Sequence, residues 1–335
     1  MMGMDLTVRP LSFDDAREYA STATAIAKQA GTDERFAADD TLIMWREPRF
    51  DLARSSLGMF NDDGILAGYV IVWAVSERPV RPWVDWGVHP DFQGHQLSQQ
   101  LFDWAEEQAG EIIKRCPPDA RVRLQTGTPA SFDFAERALA QAGYVPDRTY
   151  FDMRITMDGR PQVPDFPAGI TLRAYRHEED LPLFVDVFRN SFADHYGYVE
   201  EPFDHDVAAF RHWFNSDKNF DPRLVVLAVD EAAGLAVGCL VAMKESPRQP
   251  GIGFVDIVGV RRGYRRRGLA QAMLCHSFAG YWDRGMSTVG LEVDGSSLTN
   301  AVALYEKVGM HVHQSYISYE KTLRDGIELA KVAME

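Results

Sequence analysis

Four stretches of the first half of the chain return in the second half in the same order, and a chain that uses one motif twice has few folds open to it. Thr7-Val8-Arg9-Pro10 returns as Thr171-Leu172-Arg173-Ala174, and each copy is followed by acidic residues, Asp14-Asp15 and Glu178-Glu179-Asp180, of the kind that start a helix. Gly64-Ile65-Leu66-Ala67-Gly68-Tyr69-Val70-Ile71 returns as Gly234-Leu235-Ala236-Val237-Gly238-Cys239-Leu240-Val241, the turn and second strand of a β-hairpin. Gly87-Val88-His89-Pro90-Asp91-Phe92-Gln93 returns as Gly259-Val260-Arg261-Arg262-Gly263-Tyr264-Arg265, and Ala135 to Gly143 returns as Ala301 to Gly309. The offsets of 164, 170, 172 and 166 residues drift only as loop insertions would make them. Residues 158–169, with three prolines and two glycines, read as a linker and put the boundary near residue 165.

Each half of the 335 residues is long enough to bury most of its apolar surface. The order expected in each half is a strand, a long helical region, two hairpin strands, a central strand, a loop and helix, another strand, a short helix and a closing strand pair. In the second half the strands are expected at Ile170–Arg173, Arg223–Val229, Ala236–Lys244, Phe254–Val260, Thr288–Val293 and His311–Glu320. Strands mixed with helices on both faces make an α/β or α+β mixed-sheet fold.

The central strand of the second half leads through Arg261–Tyr264 into Arg265-Arg266-Arg267-Gly268-Leu269-Ala270, and then into a helix with a stripe of Ala270, Met273, Leu274, Phe278 and Tyr281. Ser277 is the polar member of that stripe. A tight strand-to-helix loop aims backbone N–H groups outward at the positive end of the helix dipole, which is how proteins hold a pyrophosphate. At Gly268 phosphate oxygens can approach where a Cβ would collide. Gly-Lys-Ser/Thr after the glycines, or G-x-G-x-x-G after the strand, would mark the common nucleotide loops, and neither is present.

Net charge of −14 argues against nucleic acid as a partner and favours cationic ligands. Five arginines between Arg261 and Arg267 reverse that sign locally and suit a small anion. No apolar run is long enough to cross a bilayer, and Asp5, Arg9 and Asp14 stand where a signal peptide would have its apolar core, so a cytoplasmic protein with no membrane partner is expected. Cys116, Cys239 and Cys275 are too few and scattered for a disulfide framework or zinc site; buried free thiols and no metal are expected.

The hexapeptide pattern Arg/Gln-x-x-Gly-x-Gly/Ala, present as Arg265, Gly268 and Ala270, resembles the coenzyme A loop of the GNAT N-acetyltransferase superfamily. Asn300-Ala301-Val302-Ala303-Leu304-Tyr305-Glu306-Lys307-Val308-Gly309-Met310 resembles the GNAT pattern Asn-x-x-Ala-x-x-Leu-Tyr-x-x-x-Gly-Phe/Met. The resemblance covers both halves and implies two tandem GNAT acyl-CoA N-acyltransferase domains. These are a degenerate first domain over residues 1–160 and a catalytic second domain over 169–335, in a tandem arrangement similar to that of the mycothiol synthases. The first domain looks degenerate because Gln96 stands opposite Gly268, while Phe134 and Leu139 stand opposite Asn300 and Tyr305.

What the resemblance implies about function is an acetyl-CoA-dependent N-acetyltransferase, an acyltransferase acting on the primary amine of a small-molecule acceptor, working as a monomer or homodimer. Ile257, Val258, Val260, Arg265, Arg266, Arg267, Gly268, Leu269 and Ala270 would hold the coenzyme, and Asn300 would touch its pantetheine arm. Tyr305 would stand beside the sulfur and protonate the thiolate. Pantetheine would pair in a gap beside the central strand, where Gly259 suits an expected bulge. Asp256 is read either as the general base or as a solvated strand acid. Glu292, Asp294 and His195 are read as acceptor-binding groups, with His195 also open to a base or a purely structural role. A non-catalytic protein that binds acetyl-CoA as a signal would carry the same loop, and that alternative stays open here.

Overall fold

The computed structural model describes residues 5–94, 96–296 and 300–331. In chain order the elements are β1 (Thr7–Arg9), α1 (Ala16–Gln29), α2 (Ala38–Trp45), α3 (Leu52–Ser55), β2 (Ser56–Phe60), β3 (Leu66–Trp73), β4 (Trp83–Val88), α4 (Leu97–Ile113), β5 (Val122–Pro129), α5 (Asp133–Gln141) and β6 (Val145–Thr156). They continue as β7 (Ile170–Ala174), α6 (Leu181–Phe192), α7 (Phe203–Ser216), β8 (Val225–Asp230), β9 (Leu235–Met243), β10 (Gly253–Val260), α8 (Leu269–Trp282), β11 (Thr288–Asp294), α9 (Ala301–Lys307) and β12 (His311–Arg324). The second half repeats the order of the first, and the expected strands all form to within a few residues. The expected closing strand pair is instead one long strand in each half. Among the described residues no helix is long and apolar enough to cross a membrane.

Backbone contacts divide the chain into two compact units, Met1–Thr149 with Ser315–Leu329, and Tyr150–Gln314 with Ala330–Glu335. The division does not follow the Pro-rich linker expected near residue 165. In the first unit the strands run β1-β2-β3-β4-β5, and the closing strand is β12, paired antiparallel with β5 from Tyr316↔Pro129 to Arg324↔Val122. In the second unit β7-β8-β9-β10-β11 is completed by β6, paired antiparallel from Thr288↔Thr156 to Asp294↔Tyr150. Each unit therefore takes its last strand from the other half of the sequence.

The repeated residues have visible jobs. Arg9 of β1 grips the Asp15 carboxylate with two bonds of 2.7 and 2.8 Å, and Arg173 of β7 grips Asp180 with two of 2.9 and 3.1 Å. Burial alone would raise the Asp180 pKa, but bonds from the Arg176 N–H and from Arg173 outweigh it and hold the carboxyl below its ordinary range. In both units an arginine on the edge strand thus fixes the start of the first helix, which is why Thr-x-Arg recurs.

The second unit has cores on both faces of its sheet. On one face α8 packs through Leu269, Met273, Leu274, Phe278 and Tyr281 against Ala228, Val237, Leu240, Val255 and Val289. Buried residues extend around α8 to Ala272, Cys275 and Ala279, so the expected stripe is too narrow, while Ala270 at the helix start is only half-buried. On the other face α6 and α7 supply Phe184, Val185, Val187, Val207 and Phe214. Each large apolar side chain sealed in this way contributes on the order of 1.5–3 kcal/mol. Cys116, Cys239 and Cys275 are buried and free.

Candidate active site

The site is built where two central strands of the second unit part. β10 and β11 are parallel and pair only at Gly253↔Val289 and Phe254↔Gly290. Tyr281 fixes the point of separation. Its ring lies where a Cβ at Gly253 would come within 2.6 Å, and its hydroxyl accepts from the Phe254 N–H at 3.1 Å and has its single proton within reach of both the Phe254 and Met243 carbonyls. Beyond Phe254 the edge of β10 that faces the gap is no longer paired with β11.

A β-bulge then interrupts the pairing of β10 with β9. Val255 faces Ala242 while Ile257 faces Val241, so Asp256 is the inserted residue. Gly259, the expected bulge, pairs regularly with Cys239; it is glycine because a Cβ there would lie 3.0 Å from the Ser191 Cβ on α6 and 3.1 Å from the Cys239 Sγ. The first unit has no such insertion, since β3 and β4 pair without interruption from Gly68↔Val88 to Trp73↔Trp83. Asp256 thus has no counterpart in the first unit. Bulges re-aim side chains beside functional clefts.

Solvent reaches the Asp256 side chain, yet protein surrounds it, and this desolvation, with the charges of Glu292 and Asp217, pushes its pKa up to about 7. The structure thus brings two predicted acids, Asp256 and Glu292, within electrostatic reach of each other. It adds Asp217 at the C-terminal end of α7, where the carboxylate accepts from the Asn219 N–H at 2.8 Å. No sequence signal marks Asp217, which is 39 residues from Asp256 in the chain and reaches it only through packing. By register, the first unit has Gly127 in place of Glu292, and there the Trp83 ring lies 3.1 Å from where a Cβ would stand.

His195 follows α6 with its ring 4.4 Å from that of Phe192. Desolvation lowers its pKa, with the neighbouring charges of Asp194, Arg265 and Asp294 acting in opposite senses. His195 and Asp294 therefore lie in one neighbourhood.

The strand-to-helix loop is shaped by two left-handed residues, Arg266 at φ 63° and Gly268 at φ 83°, with Gly268 capping α8. The first N–H groups of α8, from Leu269 and Ala270 onward, have no partner inside the helix. Side chains of Ile257 and Leu269 are buried in the cores, and those of Val258 and Val260 are half-buried, so these residues can offer a ligand only main-chain atoms. Two of the arginines between Arg261 and Arg267 have acidic partners within the fold: Arg261 pairs with Asp186, and Arg265 clasps Asp194 while donating to the Ser191 carbonyl at 2.7 Å and the Val260 carbonyl at 3.1 Å. Arg265 is thus a brace, not a phosphate ligand, by its side chain. Gln93 braces the first-unit loop in the same way, through reciprocal amide bonds to Gln29 of 2.6 and 2.9 Å and one to the Val88 carbonyl. Arg266 and Arg267 are exposed, and Arg267 stacks over the Tyr264 ring at 5.0 Å.

Gly268 tests whether this loop suits an anion. Its backbone is left-handed, but Gln96 adopts the same conformation at φ 57° in the sister loop, so the fold alone does not demand glycine. A Cβ at 268 would meet no protein atom within 4 Å. The glycine clears space outside the protein, as close approach of phosphate oxygens requires.

Tyr305 is the one buried residue of α9, with 9% of its surface still exposed, and desolvation pushes its pKa up to about 12, so its hydroxyl keeps its proton. Ala301, Leu304 and Val308 of the expected stripe are half-buried. The Met310 N–H bonds the Tyr305 carbonyl at 3.0 Å and the Tyr144 N–H bonds the Leu139 carbonyl at 2.9 Å, which matches Tyr305 to Leu139. Asn300 is exposed and left-handed at the start of α9. It stands two residues nearer to Tyr305 than the GNAT pattern has its asparagine; the full spacing falls on Leu298, outside the described residues.

Two copies of one mixed-sheet unit, each opening between its central strands above a strand-to-helix loop, define a tandem acetyltransferase fold. The acetyltransferase (GNAT) family model matches residues 19–126 and 185–310, and the chain belongs to that family. A mycothiol acetyltransferase of Salinispora arenicola (strain CNS-205) is 26% identical over 317 residues, covering 92% of this chain and 94% of the relative. The crystal structure of a GCN5-related N-acetyltransferase from Sphaerobacter thermophilus matches with a TM-score of 0.81 at 31% identity, over 97% of this chain and 98% of that one. A tandem GNAT protein from the clavulanic acid biosynthesis pathway shares the fold with a TM-score of 0.69 at 14% identity, over 96% of this chain and 100% of that one.

Proposed function

We propose that this acetyltransferase transfers acetyl from acetyl-CoA to the primary amine of a small-molecule acceptor, and that the second unit does the chemistry. The observation that carries the reading is Asp256, a carboxylate inserted by a bulge at the parting of β10 and β11, with a pKa of about 7 and no equivalent in the first unit. A base of that pKa is matched to taking a proton from an ammonium near neutral pH. Leu269 and Ala270 N–H groups with Arg266 and Arg267 would hold the diphosphate, and acetyl-CoA bound there supplies a thioester to the gap. A β10 backbone N–H would polarise its carbonyl. Glu292 and Asp294, with His195, would receive a cationic acceptor, and Asn300 would border the pantetheine arm. The mycothiol acetyltransferase relatives support a cysteinyl amine as one acceptor to try.

The test is acetyl transfer from acetyl-CoA to a panel of S-methyl-L-cysteine amide, glucosamine and putrescine, followed by mass spectrometry. Tight cofactor binding without product on any amine would point instead to a non-catalytic acetyl-CoA binder. Tyr305→Phe is expected to lower kcat about 10²-fold, the low end for a positioned proton donor. Its Tm should hold, since the ring that packs in the core stays. Calorimetry should find one tight acetyl-CoA site per chain; two sites of equal affinity would contradict the role assigned to Gln96.

A further inference from the structure

The segment that carries His195 is held at two places, and one of the holders is Lys331, which follows β12 in the sequence. At its start, Asp194 takes both terminal nitrogens of Arg265, one at 2.8 Å, and so is tied to the strand-to-helix loop. That carboxylate lies below its ordinary range because of the Arg265 bonds. Next the His195 N–H closes a turn on the Phe192 carbonyl at 2.8 Å. At its far side the Gly197 N–H donates to the Lys331 carbonyl at 2.8 Å, and the Lys331 N–H donates to the Tyr198 carbonyl at 3.0 Å. Gly197 is left-handed at φ 81°, a position where the chain is free to swing without such bonds.

Lys331 has no need to be here on account of β12. That strand from Ser315 onward belongs to the first unit, as do the residues after it as far as Leu329, where the Ile327 N–H bonds the Asp119 carbonyl at 2.7 Å. Ala330, which is buried, and Lys331 belong to the second unit. A loop anchored only by its own turns populates many conformers, and a binding site available in a fraction of them loses affinity by that fraction.

We propose that the segment 330–331 is a positioning element of the second unit's acceptor site, the Lys331 main chain clamping residues 195–198 in the conformation that receives the amine. The inference rests on the acetyl-transfer reading given above. It assigns that segment to acceptor binding and not to cofactor binding, because the clamp grips the far side of the loop from Arg265. The two bonds to residues 197 and 198 run through the Lys331 backbone, so removing its N–H tests the clamp directly.

Two variants test this, a chain ended after Leu329 and Lys331→Pro, which deletes the N–H given to Tyr198 and restricts the backbone at residues 330 and 331. With the panel amine that the intact chain turns over fastest, both should raise the KM for amine about tenfold. The kcat and the Kd for acetyl-CoA should stay within about twofold, and the Gly197 amide should exchange with deuterium about tenfold faster or more. An amine KM that neither variant moves would overturn the inference alone, as would unchanged Gly197 exchange. Loss of acetyl-CoA affinity in step with the amine KM would also overturn it, as the mark of a general loosening of the unit. No turnover of any amine by the intact chain would overturn the acetyl-transfer reading and this one together.

Discussion

Asp256→Asn is expected to lower kcat by about 10²-fold or more at pH 8, the loss typical of a missing general base. The wild-type profile should carry an acid limb near pH 7, because desolvation by the surrounding protein first, then the charges of Glu292 and Asp217, raise the Asp256 pKa from 3.8 to about 7. Below that pH the carboxyl holds its own proton and cannot accept another, so kcat/KM for the amine rises as pH increases through 7. The asparagine variant should lose the limb, and Glu292→Gln should move it to lower pH by removing one repelling charge. The sign of the stability effect is opposite to that of activity. A carboxyl whose pKa is raised in the fold favours folding below its unfolded value, and that advantage is lost as pH climbs to 7. At pH 8 the ionised Asp256 therefore costs stability, and Asp256→Asn should melt at the same temperature as the wild type or higher. A profile of kcat/KM from pH 5 to 9 with parallel melting curves checks both. An unchanged profile in the variant would strip Asp256 of the role.

Gly268→Gln should weaken acetyl-CoA binding by about 10–100-fold, which is roughly 1.4–2.7 kcal/mol. The expected cost to the fold is small. Gln96 shows that this loop accepts a glutamine in the left-handed conformation, at a strain of about 1–2 kcal/mol, and a Cβ at 268 meets no protein atom. Titration of acetyl-CoA by calorimetry beside a thermal melt separates the two effects. Affinity unchanged in a well-folded variant would mean that the space outside Gly268 serves something other than phosphate. The equivalent change in the first unit, Gln96→Gly, should relieve strain without restoring a second tight site. That unit lacks the local arginines, has no inserted acid, and has Trp83 packed over Gly127 where the second unit carries Glu292.

Much of the geometry of the proposed site is readable in the chain because its parts are local. The strand-to-helix loop proposed to hold the cofactor is six consecutive residues, and its left-handed positions and helix start follow from neighbours within one turn. Tyr305 and its glycine cap at Gly309 likewise sit in one short segment. Arg265 was readable as a motif member but not in its role, because its partner Asp194 is 71 residues away and only the packing of α6 on β10 brings them together. The bulge was expected at Gly259, since glycine in a strand signals either a bulge or a close approach. Here the glycine answers a close approach, by Ser191 and Cys239, and the bulge falls on a residue with no special backbone preference.

By itself the sequence determined that two like units form, that each is a mixed sheet with a helix launched from its central strand, and that one loop has room for an anion. Those follow from periodicity, turn chemistry and repeated order, all of which act over a few residues. The tertiary structure alone decided which strand closes which unit, which residue the bulge inserts, and which distant acids surround Asp256. A strand pairs with whatever edge is presented to it, and a carboxyl's pKa answers to charges in space, so neither is written in the residues on either side.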